Sequence, residues 1–185
     1  MGILGDSLDK AETKAFTRPI PKTAGVQMRF LVKQHHGSTK AVAQLLGISQ
    51  RTVERYLTGQ LKRPRRDLAT RLANEVRKRW QPKVRDKAKK TAATTAGIVV
   101  ETKAQFGYSA APGTTDDGRE RLLTQHLPPA YAARLFDAQR AGATEQQLQD
   151  IVAEGLQEIY FKDRGRRAQG LLVKFNNIEY IEFDI

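Results

Sequence analysis

The chain has 185 residues, 39% of them hydrophobic, and carries 32 Lys and Arg against 20 Asp and Glu, a formal net charge of +12. It contains no cysteine, which excludes a disulfide framework, a Cys-ligated zinc site and a thiol nucleophile. His35 and His36 are adjacent and His126 is remote, so an imidazole-built metal site is not expected. No stretch reaches the roughly 20 apolar residues of a membrane span, and the start, MGILGDSLDKAETK, is not the apolar run of a signal peptide. A cytoplasmic protein is expected.

The charge is unevenly spread. Residues 1–90 carry 22 Lys and Arg against 7 Asp and Glu, and residues 91–185 carry 10 against 13. A basic half joined to a mildly acidic half suggests that nucleic acid meets the first and something else occupies the second. Residues 1–24 are polar and broken by Arg18-Pro19-Ile20-Pro21, which reads as a short helix or a mobile arm ending in an extended Pro segment, with packing its expected role if it has one. Residues 25–36 place Met28, Leu31 and Val32 on one helical face. His35-His36 ends that helix, where the charge suits the dipole.

Thr39–Tyr56, TKAVAQLLGISQRTVERY, has the pattern of a helix-turn-helix. Ala43 is small where the two helices cross. Gly47 can take the positive φ of the turn. Val53 docks the second helix, and Val42, Leu45, Leu46, Ile48 and Tyr56 complete the apolar face. Ser49 is the expected N-cap. The second helix then presents Gln50, Arg51 and Arg55 outward, as a recognition helix does. Thr58-Gly59-Gln60 stops it, and Lys62, Arg63, Arg65 and Arg66 follow, four cations placed to straddle phosphates. Leu68, Leu72, Val76 and Trp80 recur at intervals of four and predict a further core helix over 65–81. Residues 25–82 are thus expected to form a DNA-binding domain. Residues 83–97, basic and then small and polar, read as a linker.

Residues 98–185 read as a second domain. Ile98-Val99-Val100 through Tyr108 predicts a strand or hairpin. Ala110–Gly118 predicts an exposed turn, Arg119–His126 a short helix, and Pro128-Pro129 the opening of another that carries Tyr131, Leu135 and Phe136. Thr144-Glu145-Gln146-Gln147 is a capping box before the amphipathic run Leu148, Ile151, Val152, Leu156, Ile159. Leu171–Phe175 and Ile178–Ile185 predict a hairpin turning at Asn176-Asn177. The expected fold class is α+β: an all-helical helix-turn-helix domain, then a small α+β domain with strands at both ends.

Catalytic groupings are sparse. Glu182 and Asp184 fall on one face of a strand, about 7 Å apart, where they could hold Mg²⁺, but serve more simply as the polar face of a hairpin. Asp116 and Asp117 serve as turn formers, with Mg²⁺ positioning as the alternative. No Walker loop, Gly-x-Gly-x-x-Gly or Ser/His/Asp set is present. Thr114 and Thr115 are hydroxyls on a protruding turn, where a group destined for another enzyme's active site belongs.

The chain resembles the Streptomyces-type telomere terminal proteins of linear actinomycete replicons. The resemblance rests on the helix-turn-helix together with three more specific segments: VETKAQFGY (Val100–Tyr108), PGTTDDGR (Pro112–Arg119) and GLLVKFNNIEYIEFDI (Gly170–Ile185). It implies a protein linked covalently to the 5′ ends of linear chromosomes or plasmids. It implies that this protein acts as primer for a DNA polymerase in end patching. The acceptor threonine of the family falls on Thr114 here, with Thr115 adjacent. Implied partners are telomeric DNA with its 3′ overhang, a recruiting protein bound to that overhang, and the polymerase. Mg²⁺ and a deoxynucleoside triphosphate are implied for the reaction, and location with the nucleoid at chromosome ends. A primer of this kind is a substrate rather than an enzyme. The competing readings are a helix-turn-helix transcription regulator with a C-terminal dimerisation or ligand domain, and a recombinase accessory using Tyr160 with Arg164, Arg166 and Arg167.

Overall fold

A computed structural model describes residues 2–109, 119–166, 168 and 170–185. In chain order the elements are α1 (Ile3–Lys14), α2 (Ala24–Gln34), α3 (Thr39–Leu46), α4 (Gln50–Leu57), α5 (Arg66–Arg79), α6 (Pro82–Thr91), β1 (Ile98–Ser109), β2 (Arg119–Leu127), α7 (Pro129–Arg140), α8 (Glu145–Leu156) and β3 (Leu172–Asp184). Short π-helical turns, Ala92–Ala96 and Gln157–Phe161, follow α6 and α8. The class is α+β: eight helices and one three-stranded antiparallel sheet among the described residues. None of these helices is long and apolar enough to cross a membrane.

The chain divides into two compact units. Unit 1 holds residues 1–16 and 83–185, and unit 2 holds residues 17–82. The N-terminal arm expected over 1–24 is therefore split. Its first half is α1, which buries Leu4, Leu8 and Ala11 in the core of unit 1. Polar contacts to later residues hold it at both ends. The Leu4 N–H, one of the orphan donors at a helix start, donates to Glu145 Oε1 at 2.6 Å. Gln139 Nε2 donates to Asp9 Oδ1 at 3.0 Å. Near the other end Glu12, only 4% exposed, pairs with Arg85 at 3.0 Å and with Lys89.

The sheet order is β2-β1-β3. Ile98, Val100, Thr102, Ala104 and Phe106 of the central strand alternate into the core and are almost wholly inaccessible. The buried Thr102 hydroxyl donates to the Tyr180 carbonyl at 2.9 Å, which satisfies it. Phe106 meets Phe161 and Phe175 with ring centroids 5.4 and 4.9 Å apart.

Three expectations for this half are corrected. Arg119–His126 is strand β2, not a helix: it pairs with β1 from Phe106↔Arg119 to Ile98↔Leu127, and Leu123 and Leu127 are its buried positions. The helix-favouring composition yields to cross-strand pairing and burial. The C-terminal hairpin is instead one strand, β3, running the length of β1 from Val99↔Asp184 to Ser109↔Leu172. Asn176 and Asn177 make no turn. Register shifts fall beside them and at Lys103/Ala104, leaving Asn176 and Glu179 as extra residues. The bulged Asn176 side chain lies over Gly107, where a Cβ would stand 2.5 Å from Asn176 Oδ1. Finally, the expected linker 83–97 is helix α6 and the turn after it, anchored by Ala92 in the core.

Unit 2 is built from α2 to α5 around Met28, Leu31, Val42, Ala43, Leu46, Val53, Tyr56, Leu68, Leu72 and Val76. Phe30 and Trp80 meet edge to face at 5.0 Å. Trp80 Nε1 also donates to the Arg18 carbonyl at 3.0 Å, and the Thr17 N–H donates to Gln81 Oε1 at 3.0 Å. The chain entering the unit is thereby tied to the chain leaving it.

Candidate nucleic-acid interface

α3 and α4 with the turn between them occupy the stretch singled out in the sequence. Ser38 caps α3, its Oγ accepting from the Ala41 N–H at 3.1 Å. Gly47 sits in the left-handed region at φ 61°, ψ 43°. Around it the Ile48 N–H donates to the Ala43 carbonyl at 3.0 Å and the Gly47 N–H to Gln44 at 3.2 Å, the paired bonds of a Schellman motif. Ser49 caps α4, its Oγ accepting from the Thr52 N–H at 3.2 Å. Val53 and Tyr56 bury the inner side of α4. Its outer side carries Gln50, Arg51, Glu54 and Arg55, all exposed.

Lys62, Arg63, Arg65 and Arg66 are also exposed, the first three on the extended segment before α5 and Arg66 as that helix's first residue. Two arginines at the positive end of a helix oppose its dipole, and Asp67 in the first turn offsets one of them. Among the described residues, Arg51, Arg55, Lys62, Arg63, Arg65 and Arg66 form no ion pair. Farther along α5 the pattern reverses. Lys78 and Arg79 both bond Glu75. Partial burial raises the Glu75 pKa, but these two hydrogen bonds outweigh it and hold the carboxyl below its ordinary value. The cations thus sort into an intramolecular set at the end of α5 and an open set around α4.

Two features escaped the sequence reading. Gln50 Nε2 donates to Glu54 Oε1 at 3.0 Å, so the first residue of α4 is already engaged and an acid stands on the outward face. The Gln-x-x-x-Glu spacing was the signal available. Arg71 of α5 reaches the turn, and a Cβ at Gly47 would stand 3.3 Å from its guanidinium. Ser49 is exposed, but its hydroxyl also bonds Thr52 Oγ1 at 2.8 Å, so capping occupies it.

Charge follows the units more sharply than it follows the halves of the sequence. Residues 17–82 hold 15 Lys and Arg against 3 Asp and Glu, while unit 1 holds 17 of each. The whole net charge of +12 therefore belongs to unit 2, and the body that follows is neutral rather than acidic.

Thr114, Thr115, Asp116 and Asp117 lie outside the described residues, in the stretch between β1 and β2. At the nearby end of the sheet Arg121 Nε donates to the Tyr108 hydroxyl at 3.2 Å, and its guanidinium stands 5.8 Å from the centre of the Phe161 ring. On the open face of the sheet Lys103 lies between Glu120 and Glu179, which raise its pKa, and Tyr180 Oη donates to Glu101 at 2.6 Å. Glu182 faces Lys14 at 3.9 Å. Among the described residues no group of three His, Asp or Glu could hold a metal ion. The chain matches no protein-family model, no curated protein and no solved structure.

Proposed function

We propose that this protein is a DNA-binding protein primer of the telomere terminal type. Unit 2 holds duplex DNA through a helix-turn-helix, and Thr114 is the residue that becomes joined to the 5′ end. The observation that carries the DNA-binding part is the charge partition: 15 cations against 3 acids in residues 17–82, with the arginines of α4 exposed beside a basic segment. Arg51 and Arg55 read the groove, while Lys62, Arg63, Arg65 and Arg66 neutralise phosphates. Ser49 serves as the helix cap and Gln50 acts with Glu54.

The priming part is supported by the resemblance of PGTTDDGR and its flanking segments to the terminal proteins. In this reaction the Thr114 Oγ attacks the α-phosphorus of a deoxynucleoside triphosphate. A phosphodiester forms to threonine, the α–β phosphoanhydride bond breaks, and pyrophosphate leaves. The hydroxyl proton passes to a base in the polymerase site. A threonine hydroxyl is a weak nucleophile, so the polymerase and its Mg²⁺ supply the activation and this chain supplies the acceptor. Asp116 and Asp117, which follow the acceptor in sequence, help to position that metal. The 3′ overhang and a protein bound to it bring the primer to the chromosome end.

The test is incubation with extract, Mg²⁺ and deoxynucleotides labelled at the α-phosphate, followed by denaturing electrophoresis and peptide mapping. A covalent label between Gly107 and Arg119 is expected, lost in Thr114→Ala and kept in Thr115→Ala. Labelling at full strength in Thr114→Ala refutes the acceptor. Tight duplex binding with no label at all, beside an active terminal protein as control, leaves the transcription-regulator reading in its place. Arg51→Ala or Arg55→Ala should weaken duplex binding by about 1–3 kcal/mol if the residue contacts a base.

A further inference from the structure

Helix α6 divides its own charge. Arg85 and Lys89 turn inward to Glu12, and Lys89 Nζ also stands 5.3 Å from the centre of the Phe136 ring. These two cations are consumed in fastening α1 to α6. Lys83, Lys87 and Lys90 are exposed. Their spacing of i, i+4 and i+7 sets them in one stripe, about 10 Å long at 1.5 Å per residue. Among the described residues none of the three forms an ion pair.

Asp86, exposed three residues after Lys83 and four before Lys90, is the one acid beside the stripe and offsets part of its charge. Like charges at i, i+4 work against a helix, and the dipole favours only the lysine in the last turn. The stripe does not belong to a generally basic surface. α6 holds five cations and one acid, while the rest of unit 1 holds 12 cations and 16 acids. Lysine is a compact point charge that suits phosphate without demanding a fixed geometry. The duplex carries one phosphate per roughly 3.4 Å of axis on each strand, so three flexible lysines spread over about 10 Å can each reach a separate phosphate. The stripe carries no Asn, Gln or Arg to read a base edge.

We propose that Lys83, Lys87 and Lys90 form a second, sequence-independent contact with the phosphate backbone, contributed by unit 1. It rests on the reading of unit 2 as a duplex-binding module and extends the DNA contact beyond it. The experiment measures binding of the full chain to a fluorescent random-sequence duplex over a salt series. Removing three phosphate contacts in Lys83→Gln/Lys87→Gln/Lys90→Gln should flatten the slope of log K against log salt by about 2.7. The triple Lys→Arg variant should keep the wild-type slope. If the glutamine variant keeps the wild-type slope while Arg51→Ala/Arg55→Ala loses affinity, the α6 contact is overturned and the reading of unit 2 stands. If the wild-type chain binds no duplex at low salt, both fall. Should the triple variant melt early, each single Lys→Gln is expected to lower the slope by about 0.9, and single variants without that change overturn the proposal.

Discussion

The first sixteen residues read as a short helix or a mobile arm and fold as a core helix, and Leu8→Ala distinguishes the two. Leu8 is wholly inaccessible, in one cluster with Leu4, Ile98, Val100, Leu135, Leu156 and Phe183. Truncation to Ala removes three carbon groups, about 2.4 kcal/mol at about 0.8 each. The cavity left behind adds to this, because α1 is held by Glu145 before Leu8 and by Glu12 after it and cannot slide in to fill the space. A total of about 3 kcal/mol follows, inside the range measured for buried leucines. For a unit of this size that lowers the melting temperature by about 10 °C. Ile3, 39% exposed on the same helix, is the control: Ile3→Ala should cost under about 1 kcal/mol. The assay is thermal and urea unfolding of the full chain, followed by the circular dichroism of the sheet. A Leu8→Ala protein that melts within about 1 °C of wild type would refute the assignment of α1 to the core.

Three further outcomes are expected. Gly47→Val forces a β-branched residue into the left-handed region and toward the Arg71 guanidinium, so urea unfolding should show unit 2 destabilised by at least about 1–2 kcal/mol. Glu12→Gln leaves Arg85 and Lys89 without their shared charge. The loss should approach but not reach the roughly 3–5 kcal/mol of a fully buried broken pair, since both cations are about a fifth exposed and can turn to water. The Arg134 hydrogen bond holds the Glu154 carboxyl below its ordinary pKa. The pair's contribution is therefore complete above the unfolded value and disappears as pH falls through the folded one. Both side chains are nearly half exposed, so screening limits the effect to about 0.2–1 kcal/mol. Glu154→Gln should cost that much at pH 7 and nothing at the acid end of a pH series of urea titrations.

The features legible in the sequence are those whose causes are local. Gly47 stands where a turn needs positive φ, Ser49 caps the next helix through its own neighbour, and Val53 and Tyr56 recur at helical spacing. Thr144 and Gln147 close their capping box within four residues. The features missed have distant causes. β2 is a strand because β1 lies beside it, and its Arg, Glu, Leu and Gln give no such instruction. Asn176-Asn177 looks like a turn until β1 offers a twelve-residue partner with a glycine where the bulged side chain lands. The stretch 83–97 looks like a linker because the acid that organises it, Glu12, lies some seventy residues earlier.

The same distance explains the misplaced charge boundary. Cutting the sequence near residue 90 mixes the start of unit 1 with unit 2 and leaves a remainder that looks acidic. Folding returns α1 and α6 to the later residues, and the cations of α6 cancel that acidity. What results is a neutral α+β body whose chain is interrupted by a basic helical unit. An insertion requires its entering and leaving segments to lie together. The bonds from Thr17 to Gln81 and from Trp80 to Arg18 place them so. Neither bond follows from a local pattern, because each joins residues more than sixty apart. Each pairs a side chain of the leaving segment with a backbone group of the entering one, exchanging a water partner for a protein one.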